Sequence, residues 1–340
     1  ERCEDICRTL KLPFTIETTS RLVAFYNNRF NRFRMEAWLP KFMLGSSRFE
    51  ACHIQCENPS DEVDIQLRAT NYNDKGLENY LDLKASAKDN LLNSVINWAN
   101  NKPNQYKATL SASPTFAEET DELGKTALTT HIGLNPSTLT VKDTTWNISP
   151  SEVSIRNGRI HVQHFQVVRG DQHLYLNGFV SKDPTDTLKV DMHQVELSYI
   201  FDVLNIEVLQ FGGEATGKFY LSDVYKSMML NTDLEVKNFS FNKVVLGRLN
   251  MFSEWDNEQK GISMMGTIYK NDSTWTDVNG TVYPVGPNSG LSLYFDANDL
   301  NIAFIHPFVD GVVKNLQGRG FGNVHLYGPF SQLNVVGDVM

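Results

Sequence analysis

Alternation of apolar and polar residues with a period of two recurs along most of this 340-residue chain. Successive side chains of a β-strand point to opposite faces of the sheet, so this alternation predicts strands that are buried on one face only. The clearest runs are residues 63–69, 139–141, 153–155, 174–176, 188–192 and 234–236. A chain with this pattern is expected to fold around sheets.

Residues that favour tight turns separate the alternating runs. Asn and Gly tolerate positive φ, which two-residue hairpin turns require. The segments with this chemistry are Asn157-Gly158, Asn177-Gly178, Asp183-Pro184, Asn279-Gly280 and Gly286-Pro287-Asn288. The sequence therefore predicts a mainly β fold built on a long, curved antiparallel sheet with meander connections.

Three segments have the apolar spacing of short helices within this β pattern. The first begins near Asp89 and ends before Pro103, the second follows Ser198, and the third follows Asn301 and extends to Leu316. A sheet with one apolar face must curl, pack on a second layer or hold an apolar guest. A short helix can cover one end of such a face.

An internal repeat of about 105 residues, each copy with one short helix, connects these segments. The stretch from Phe211 matches the stretch from Leu316, and Gly217 matches Gly322 at the same offset. A fainter first copy starts at residues 81–85. Stacked modules are the usual consequence of such repetition. The predicted divisions are an N-terminal β segment of uncertain fold over 1–80, a first repeat over 81–187, a second over 188–290 and a third over 291–340, which is expected to continue in further chain.

Charge argues against a nucleic-acid partner. The chain has 31 Lys and Arg against 40 Asp and Glu, for a net charge of -9. Binding to phosphates needs clustered cations. The one local cationic run contains Arg21, Arg29, Arg32 and Arg34 with interleaved aromatic residues at 25–33. We interpret this run as a solvated face over core aromatics.

Motif content argues against an enzyme. The eight histidines are isolated or, where they fall three residues apart on a strand, point to opposite faces. No serine elbow, His-Glu zinc motif or phosphate-binding loop occurs in the sequence. We predict no catalytic residues, no metal and no cofactor; a β-rich hydrolase would need carboxylates that converge only in the fold. For the two C-x3-C pairs, Cys3 with Cys7 and Cys52 with Cys56, disulfides and free thiols both stay open.

Two stretches consist of glycine-punctuated strands joined by short turns: residues 318–337 (GRGFGNVHLYGPFSQLNVVG) and 144–165 (TTWNISPSEVSIRNGRIHVQHF). In these the chain resembles the AsmA/TamB-like proteins of Gram-negative envelopes, and the second stretch resembles the TamB-related proteins of Bacteroidetes. The resemblance covers about residues 60–340. It implies a β-taco, a U-shaped sheet whose concave face accepts phospholipid acyl chains. It also implies a periplasmic location, an inner-membrane anchor outside this chain and contact with an outer-membrane assembly barrel.

The candidate groove residues are apolar side chains that alternate along the strands flanking the second and third helices. They are Leu188, Val190, Met192, Phe219, Leu221, Leu291, Leu293, Phe295, Val324 and Leu326. The predicted function is a non-enzymatic scaffold for lipid transport between inner and outer membranes or for outer-membrane assembly. A closed hydrophobic core is the alternative for these residues. The alternative function is a β-sandwich binding or adhesion module that recognises glycan or protein, with aromatics such as Trp255 and Trp275 grouped on one surface.

Overall fold

The protein is mainly β. A computed structural model describes residues 14–16, 18–44, 47–72, 78–100, 106–120, 124–199, 210–226, 229–283, 289–309 and 314–340. Within these ranges the 23 strands belong to an antiparallel sheet. The predicted fold class is therefore confirmed. The chain divides into two compact units, Glu1–Asn157 with Phe165–Arg169 (unit 1) and Gly158–His164 with Gly170–Met340 (unit 2).

Unit 1 contains the first twelve strands and the second half of the thirteenth. They are β1 (Phe14–Ile16), β2 (Arg21–Asn27), β3 (Arg32–Leu44), β4 (Ser47–Glu57), β5 (Val63–Tyr72), β6 (Glu78–Lys88), β7 (Leu91–Asn100), β8 (Lys107–Thr120), β9 (Thr126–Leu134), β10 (Ser137–Val141), β11 (Thr144–Ile148), β12 (Ser151–Arg156) and β13 (Arg159–Arg169).

The strands of unit 1 form a meander from β3 to β8. Both β1 and β2 pair with β3, and both β9 and β10 pair with β8. Beyond them, β12 pairs with β9 and β11 with β10. A small buried cluster lies near the β3 end of this sheet and consists of Ile16, Ala37, Leu39, Cys52 and Ala69.

The first predicted helix, from Asp89, is wrong, because residues 91–100 form strand β7. Asp89 and Asn90, with φ of 50° and 64°, make a two-residue turn that joins β7 to β6 as a hairpin. Two positive φ values are the mark of the type I′ turn, whose twist suits antiparallel neighbours. The spacing of Leu92 and Ile96 fits a helical turn and one face of a strand equally well, and the turn decides in favour of the strand.

The β2–β3 hairpin also departs from expectation. Its aromatic residues Phe25, Tyr26 and Phe30 are 68%, 65% and 62% exposed. The interpretation of these residues as core aromatics under a solvated cationic face is therefore wrong. The reason is that β2 pairs only with β3 among the described strands, and almost all of its side chains on both faces are exposed.

Unit 2 contains the first half of β13 and all later strands. They are β14 (Gln172–Val180), β15 (Thr187–Glu196), β16 (Phe211–Ser222), β17 (Met229–Phe241), β18 (Val244–Asp256), β19 (Gly261–Asn271), β20 (Thr274–Tyr283), β21 (Gly290–Asn301), β22 (Arg319–Pro329) and β23 (Asn334–Val339). From β14 to β23 each strand pairs with the next, as the predicted meander requires.

The internal repeat extends to the register of two hairpins in unit 2. Leu188 of β15 lies opposite Leu221 of β16, and adding 105 to both numbers gives the pair Leu293 and Leu326 of β21 and β22. This register makes Leu293, and not Leu291, the structural equivalent of Leu188. The alignment of residues 188–192 with 291–295, which the sequence suggests, is two residues out of register.

Irregularities of the two hairpins repeat at the same offset. The ladder shifts register after Met192 in β15 and after Ala297 in β21. Within each shift one residue has a left-handed backbone, Gln194 with φ of 51° and Asp299 with φ of 59°. One class of β-bulge contains such a left-handed residue, and bulges bend the strand in which they occur. The divisions predicted at residues 80, 187 and 290 stay predictions.

The third predicted helix is confirmed in part. A 3₁₀ turn, Ile302–Ile305, is followed by one turn of α-helix, α1 (His306–Val309). The Asn301 side chain accepts a hydrogen bond from the backbone N–H of Ala303 and so caps the start. Leu316 lies outside the helix, and residues 310–313 and most of the second predicted helix, 200–209, lie outside the described residues.

Two of the predicted turns are confirmed and two are wrong. Asn157-Gly158 and Asp183-Pro184 join strands, whereas Asn177-Gly178 and Asn279-Gly280 lie inside β14 and β20. Gly280 has a φ of 149°, and a Cβ there would lie 2.9 Å from Leu293 Cα in the neighbouring strand. Glycine therefore serves close strand approach at this position. The segment Gly286-Pro287-Asn288 lies outside the described residues.

Candidate functional site: the apolar faces of the two units

The ten apolar residues predicted to line a groove are in unit 2, and the strand register places them on one face of its sheet. They are Leu188, Val190, Met192, Phe219, Leu221, Leu291, Leu293, Phe295, Val324 and Leu326. One cross-strand row runs from Phe219 of β16 through Met264 of β19 to Leu293 and Leu326. The structure therefore brings the two predicted groups together on a common face.

Most of this face is covered. The buried members of the predicted set are Leu188, Met192, Leu291, Leu293, Phe295, Val324 and Leu326. The half-buried members are Val190, Phe219 and Leu221. Met192 and Leu326 are 0% exposed, so no solvent-sized space touches them.

The helical segment after β21 packs against this face. Phe304 is 0% exposed, and its ring centre lies 5.4 Å from that of Phe295 and 5.6 Å from that of Phe241. Asn242 Nδ2 donates a hydrogen bond of 2.8 Å to the Phe304 carbonyl oxygen and holds the segment in place. Phe308 of α1 lies 6.0 Å from Phe241. Here the protein's own side chains fill the space, as the closed-core alternative requires.

Unit 1 has an apolar face of a different kind. A single cross-strand row, which we call the aliphatic row, contains one large side chain from each of the strands β4 to β8. Its members are Ile54, Leu67, Leu83, Ile96 and Leu110. Every member is half-buried. Ala37 of β3 continues the row and is buried in the cluster at the β3 end.

The aliphatic row stays partly exposed to solvent over its whole length. The described strands of unit 1 that approach one another closely along their backbones are hydrogen-bonded neighbours. A flanking row on the same face contains Leu81 and Trp98, also half-buried. Monomeric proteins seldom leave a continuous apolar surface of several strands uncovered, and such a surface marks a place for a partner or ligand.

The opposite face of the same strands is polar. Arg68 Nε donates to Asp82 Oδ2 at 3.0 Å, and Thr109 Oγ1 donates to Asn97 Oδ1 at 2.9 Å. The open depressions on this side are bordered by these polar side chains. The sheet of unit 1 is thus amphipathic, with the partly exposed aliphatic row on one face and hydrogen-bonded polar side chains on the other.

Sequence reasoning missed the aliphatic row. The alternation of residues 63–69 and 81–85 indicates strands that contribute Leu67 and Leu83, but the helix assigned after Asp89 removes the strand that carries Ile96. The signal that finds it is the two-residue Asp89-Asn90 turn, followed by alternation from Leu92 to Trp98.

An ion pair fixes the turn between β14 and β15 in unit 2. Asp186 is 9% exposed and accepts hydrogen bonds of 2.8 and 2.7 Å from Arg159 Nε and Nη2, and one of 2.7 Å from Ser181 Oγ. The Arg159 guanidinium lowers the pKa of Asp186, and Ser181 adds to this. The guanidinium also lies 3.9 Å from the Phe179 ring centre. The group is structural because all of its members are engaged with one another.

A second charged contact lies on the polar face of unit 1. Glu119 Oε1 accepts from His131 Nε2 at 2.8 Å, and Glu152 Oε1 lies 3.4 Å from His131 Nδ1. The carboxylate of Glu119 raises the pKa of His131, and Glu152 acts in the same direction. Both carboxylates therefore stabilise the imidazolium of His131 relative to the neutral imidazole.

The two cysteines of β4 form no disulfide in the described structure. Cys52 is buried, which raises the pKa of its thiol to about 11, and Cys56 is half-buried. Across the described ranges no three His, Cys, Asp or Glu side chains group closely enough to hold a metal ion. Cys3 and Cys7 lie outside those ranges.

The face of the unit 2 sheet opposite the predicted groove residues, which we call the outer face, carries a row of exposed large side chains across neighbouring strands. Phe252, Met265, Tyr294 and Val336 are 46%, 58%, 49% and 58% exposed. His325, between Tyr294 and Val336 in this row, stacks on Tyr294 with ring centres 3.9 Å apart.

Trp255 and Trp275, whose grouping on one surface would favour the β-sandwich alternative, lie on opposite faces of the sheet. Trp275 is 44% exposed on the outer face, whereas Trp255 lies opposite the buried Ile262 on the face of the predicted groove residues.

Comparison with known proteins gives no relative: no family model, curated protein or solved structure matches the chain. None of the helical segments in the described residues has the length and hydrophobicity needed to cross a bilayer. The described residues thus define the chain as a large antiparallel β-sheet protein whose aliphatic row in unit 1 is partly exposed.

Proposed function

We propose that this chain is a segment of a non-enzymatic lipid-carrying scaffold, in which the apolar face of unit 1 shields acyl chains from water. One observation carries the proposal: the aliphatic row is continuous over β4 to β8 and each of its five side chains stays partly exposed. Its side chains are half-buried, so an acyl chain laid across the row would contact each of them.

The free energy expected for shielding an acyl chain is compatible with the carriage of a lipid. Removing a methylene group from water contributes about 0.8 kcal/mol, so shielding about ten of them contributes about 8 kcal/mol before the cost of association. That cost is of the order of 4–15 kcal/mol. The two are comparable, which favours a lipid that is held weakly and passed on.

The cellular setting follows from the resemblance to AsmA/TamB-like proteins. On that basis we place the segment in the periplasm of a Gram-negative envelope, anchored to the inner membrane through a part of the protein outside this chain. Its cargo would be phospholipid in transit between membranes, or its role would lie in outer-membrane assembly with a barrel protein. In this proposal the filled apolar face of unit 2 supports the fold.

Site-specific photo-cross-linking tests the proposal. A benzophenone amino acid is placed at Leu83 or Ile96 on the apolar face, and at Lys84 or Val95 on the polar face of the same strands. Irradiation of the full chain with a fluorescent phospholipid should label the first two variants and leave the second two unlabelled. Equal labelling at all four positions, or none at Leu83 and Ile96, would reject the apolar face as the lipid site.

A second candidate function has its own supporting observation. On the outer face of unit 2 the exposed ring of Tyr294 stacks on the half-buried ring of His325, and Trp275 is exposed on the same face. Flat aromatic surfaces suit a glycan- or protein-binding module. Affinity electrophoresis against soluble polysaccharides tests it: retardation that Tyr294→Ala abolishes and Tyr220→Ala preserves would favour this module, and no retardation would reject glycan binding.

A further inference from the structure

The β2–β3 hairpin of unit 1 combines exposed aromatic residues with arginine. Leu22, Phe25, Tyr26 and Phe30 are each more than 60% exposed. In a soluble monomer, large apolar side chains occur singly on the surface more often than in groups. Four within nine residues, on a hairpin whose β2 edge has no described neighbour besides β3, indicate a contact surface.

Residues 21–34 of this hairpin carry four positive charges and no negative one, and the nearest acidic residue along the chain is Glu36. The arginines at 21, 29, 32 and 34 fall in a chain whose net charge is -9. Arg21, Arg29 and Arg34 are exposed. Arg29, Arg32 and Arg34 lie in or next to the turn and Arg21 lies at the other end of β2, so the arginines are spread along the hairpin of a protein with a net negative charge.

Contacts within the hairpin leave these arginines able to bind anions. The Arg21 guanidinium lies 5.1 Å from the Trp38 ring centre, and that of Arg29 lies 5.6 Å from the Phe30 ring centre. Arg34 has only loose ion pairs, 3.8 Å to both Glu36 and Glu57, and its side chain is 59% exposed. Exposed pairs of this length contribute little and exchange readily for another anion.

Arg32 differs from the other three arginines. It donates a 2.6 Å hydrogen bond to the Ser60 carbonyl oxygen. Its role is therefore to hold the hairpin, and we assign it no part in binding.

The arrangement of the aromatic side chains identifies the kind of partner. Leu22 and Tyr26 share a face of the hairpin, Phe25 lies on the other face, and Phe30 lies in the turn. Bases of a nucleic acid stack on rings presented in series on one surface. Apolar groups on both faces and at the tip, with guanidinium groups among them, suit immersion in the boundary between lipid headgroups and acyl chains.

We propose that the β2–β3 hairpin docks unit 1 onto a membrane surface that contains anionic phospholipid. Phe25, Phe30 and Leu22 enter the apolar boundary, and Arg21, Arg29 and Arg34 bind headgroup phosphates. Leu22 lies opposite Ala37, in register with the aliphatic row, so docking places the edge of the apolar face at the bilayer. The inference goes beyond the proposed function and rests on different residues.

Vesicle flotation with the full chain tests this. The wild type should float with vesicles of phosphatidylcholine containing 30% phosphatidylglycerol, and should not float with phosphatidylcholine alone. Arg21→Gln/Arg29→Gln/Arg34→Gln should weaken binding on the order of 100-fold, because each basic residue contributes about one factor of five to ten at an anionic surface. Phe25→Ser/Phe30→Ser should weaken it at least about tenfold.

Matched controls separate docking from general surface effects. Phe321 is 50% exposed and Arg248 is exposed, both in unit 2, so Phe321→Ser/Arg248→Gln should float like the wild type. Unchanged circular dichroism would establish that the hairpin variants fold. The proposal would be overturned if the wild type did not float, or if the wild type and the hairpin variants floated equally. It would also be overturned if the protein bound a single-stranded oligonucleotide in place of vesicles. None of these results depends on the acyl-chain cross-linking, so the two proposals fail separately.

Discussion

Ile96 of β7 lies directly opposite Leu83 of β6 on the apolar face of unit 1. Its chain neighbour Val95 lies opposite Lys84 on the polar face and is 37% exposed. Two β-branched aliphatic residues, adjacent in sequence, therefore occupy the two sides of one strand. This pair allows the apolar face to be altered with a control of the same chemistry one residue away.

Truncation of Phe304 should destabilise unit 2. The side chain is fully buried between Phe241 and Phe295, and Phe304→Ala leaves a cavity, so we expect a loss of about 3–5 kcal/mol in the free energy of unfolding. Phe321→Ala, at a residue that is 50% exposed, should change it by less than about 0.5 kcal/mol. Urea denaturation followed by circular dichroism measures both. Similar midpoints for the two variants would contradict the filled face described for unit 2.

Asp186→Asn should destabilise unit 2 by about 1.5–3 kcal/mol near neutral pH, through loss of charge-assisted hydrogen bonds from Arg159 and Ser181. The guanidinium keeps its hydration, since the Arg159 side chain is 54% exposed, so the larger penalty of a stranded buried charge does not apply. Asp191→Asn, at a side chain that is 46% exposed, is the control. Denaturant midpoints at pH 7 measure the difference.

The same contact predicts sensitivity to acid. Because the pKa of Asp186 is lowered in the fold, its contribution is present above the unfolded value of about 3.9 and is lost as the pH falls through the folded pKa. The stability difference between wild type and Asp186→Asn should therefore shrink below about pH 4. A difference that grows on acidification would contradict the assignment.

His131 should titrate above its ordinary pKa because Glu119 and Glu152 stabilise the imidazolium. The stability that the protonated His131 contributes to the fold is fully present below the pKa of histidine in the unfolded chain, about 6.5. It is lost as the pH rises through the pKa of His131 in the folded protein. The NMR titration midpoint of His131 should fall in Glu119→Gln. A midpoint that does not move would show that this carboxylate does not act on the imidazole.

The two thiols of β4 should differ in reactivity. Cys52 is 2% exposed with a pKa of about 11, so in the folded protein at pH 8 Cys56 should be alkylated first. Peptide mapping after brief treatment with iodoacetamide measures the ratio, and the urea-unfolded chain, in which the two should react alike, is the control. Equal labelling of the folded protein would contradict the burial of Cys52.

Sequence reasoning reached the fold class because alternation is a local property. Residues 63–69 and 188–192 alternate clearly and form β5 and β15. The repeat offset, visible in Gly217 and Gly322, matches the cross-strand register of both hairpins.

The features that sequence reasoning missed in unit 2 depend on contacts between residues that are distant in sequence. The burial of Phe295 is caused by Phe304 and Phe241, whose approach no local pattern encodes. Gly280 occupies a strand interior because the neighbouring backbone at Leu293 comes close, whereas Asn-Gly in sequence favours a turn. The aliphatic row was missed for a local reason, since the spacing of Leu92 and Ile96 fits both a helix and a strand.

If the apolar face of unit 1 holds acyl chains, a pyrene-labelled fatty acid should bind to the delipidated full chain, and an equilibrium titration measures this binding. We expect saturable binding by the wild type and by Val95→Asn, and binding at least about tenfold weaker for Ile96→Asn, because a polar side chain then interrupts the aliphatic row. Absence of saturable binding by the wild type, or equal affinity of the Ile96 and Val95 variants with unchanged urea midpoints, would contradict the proposed binding of acyl chains.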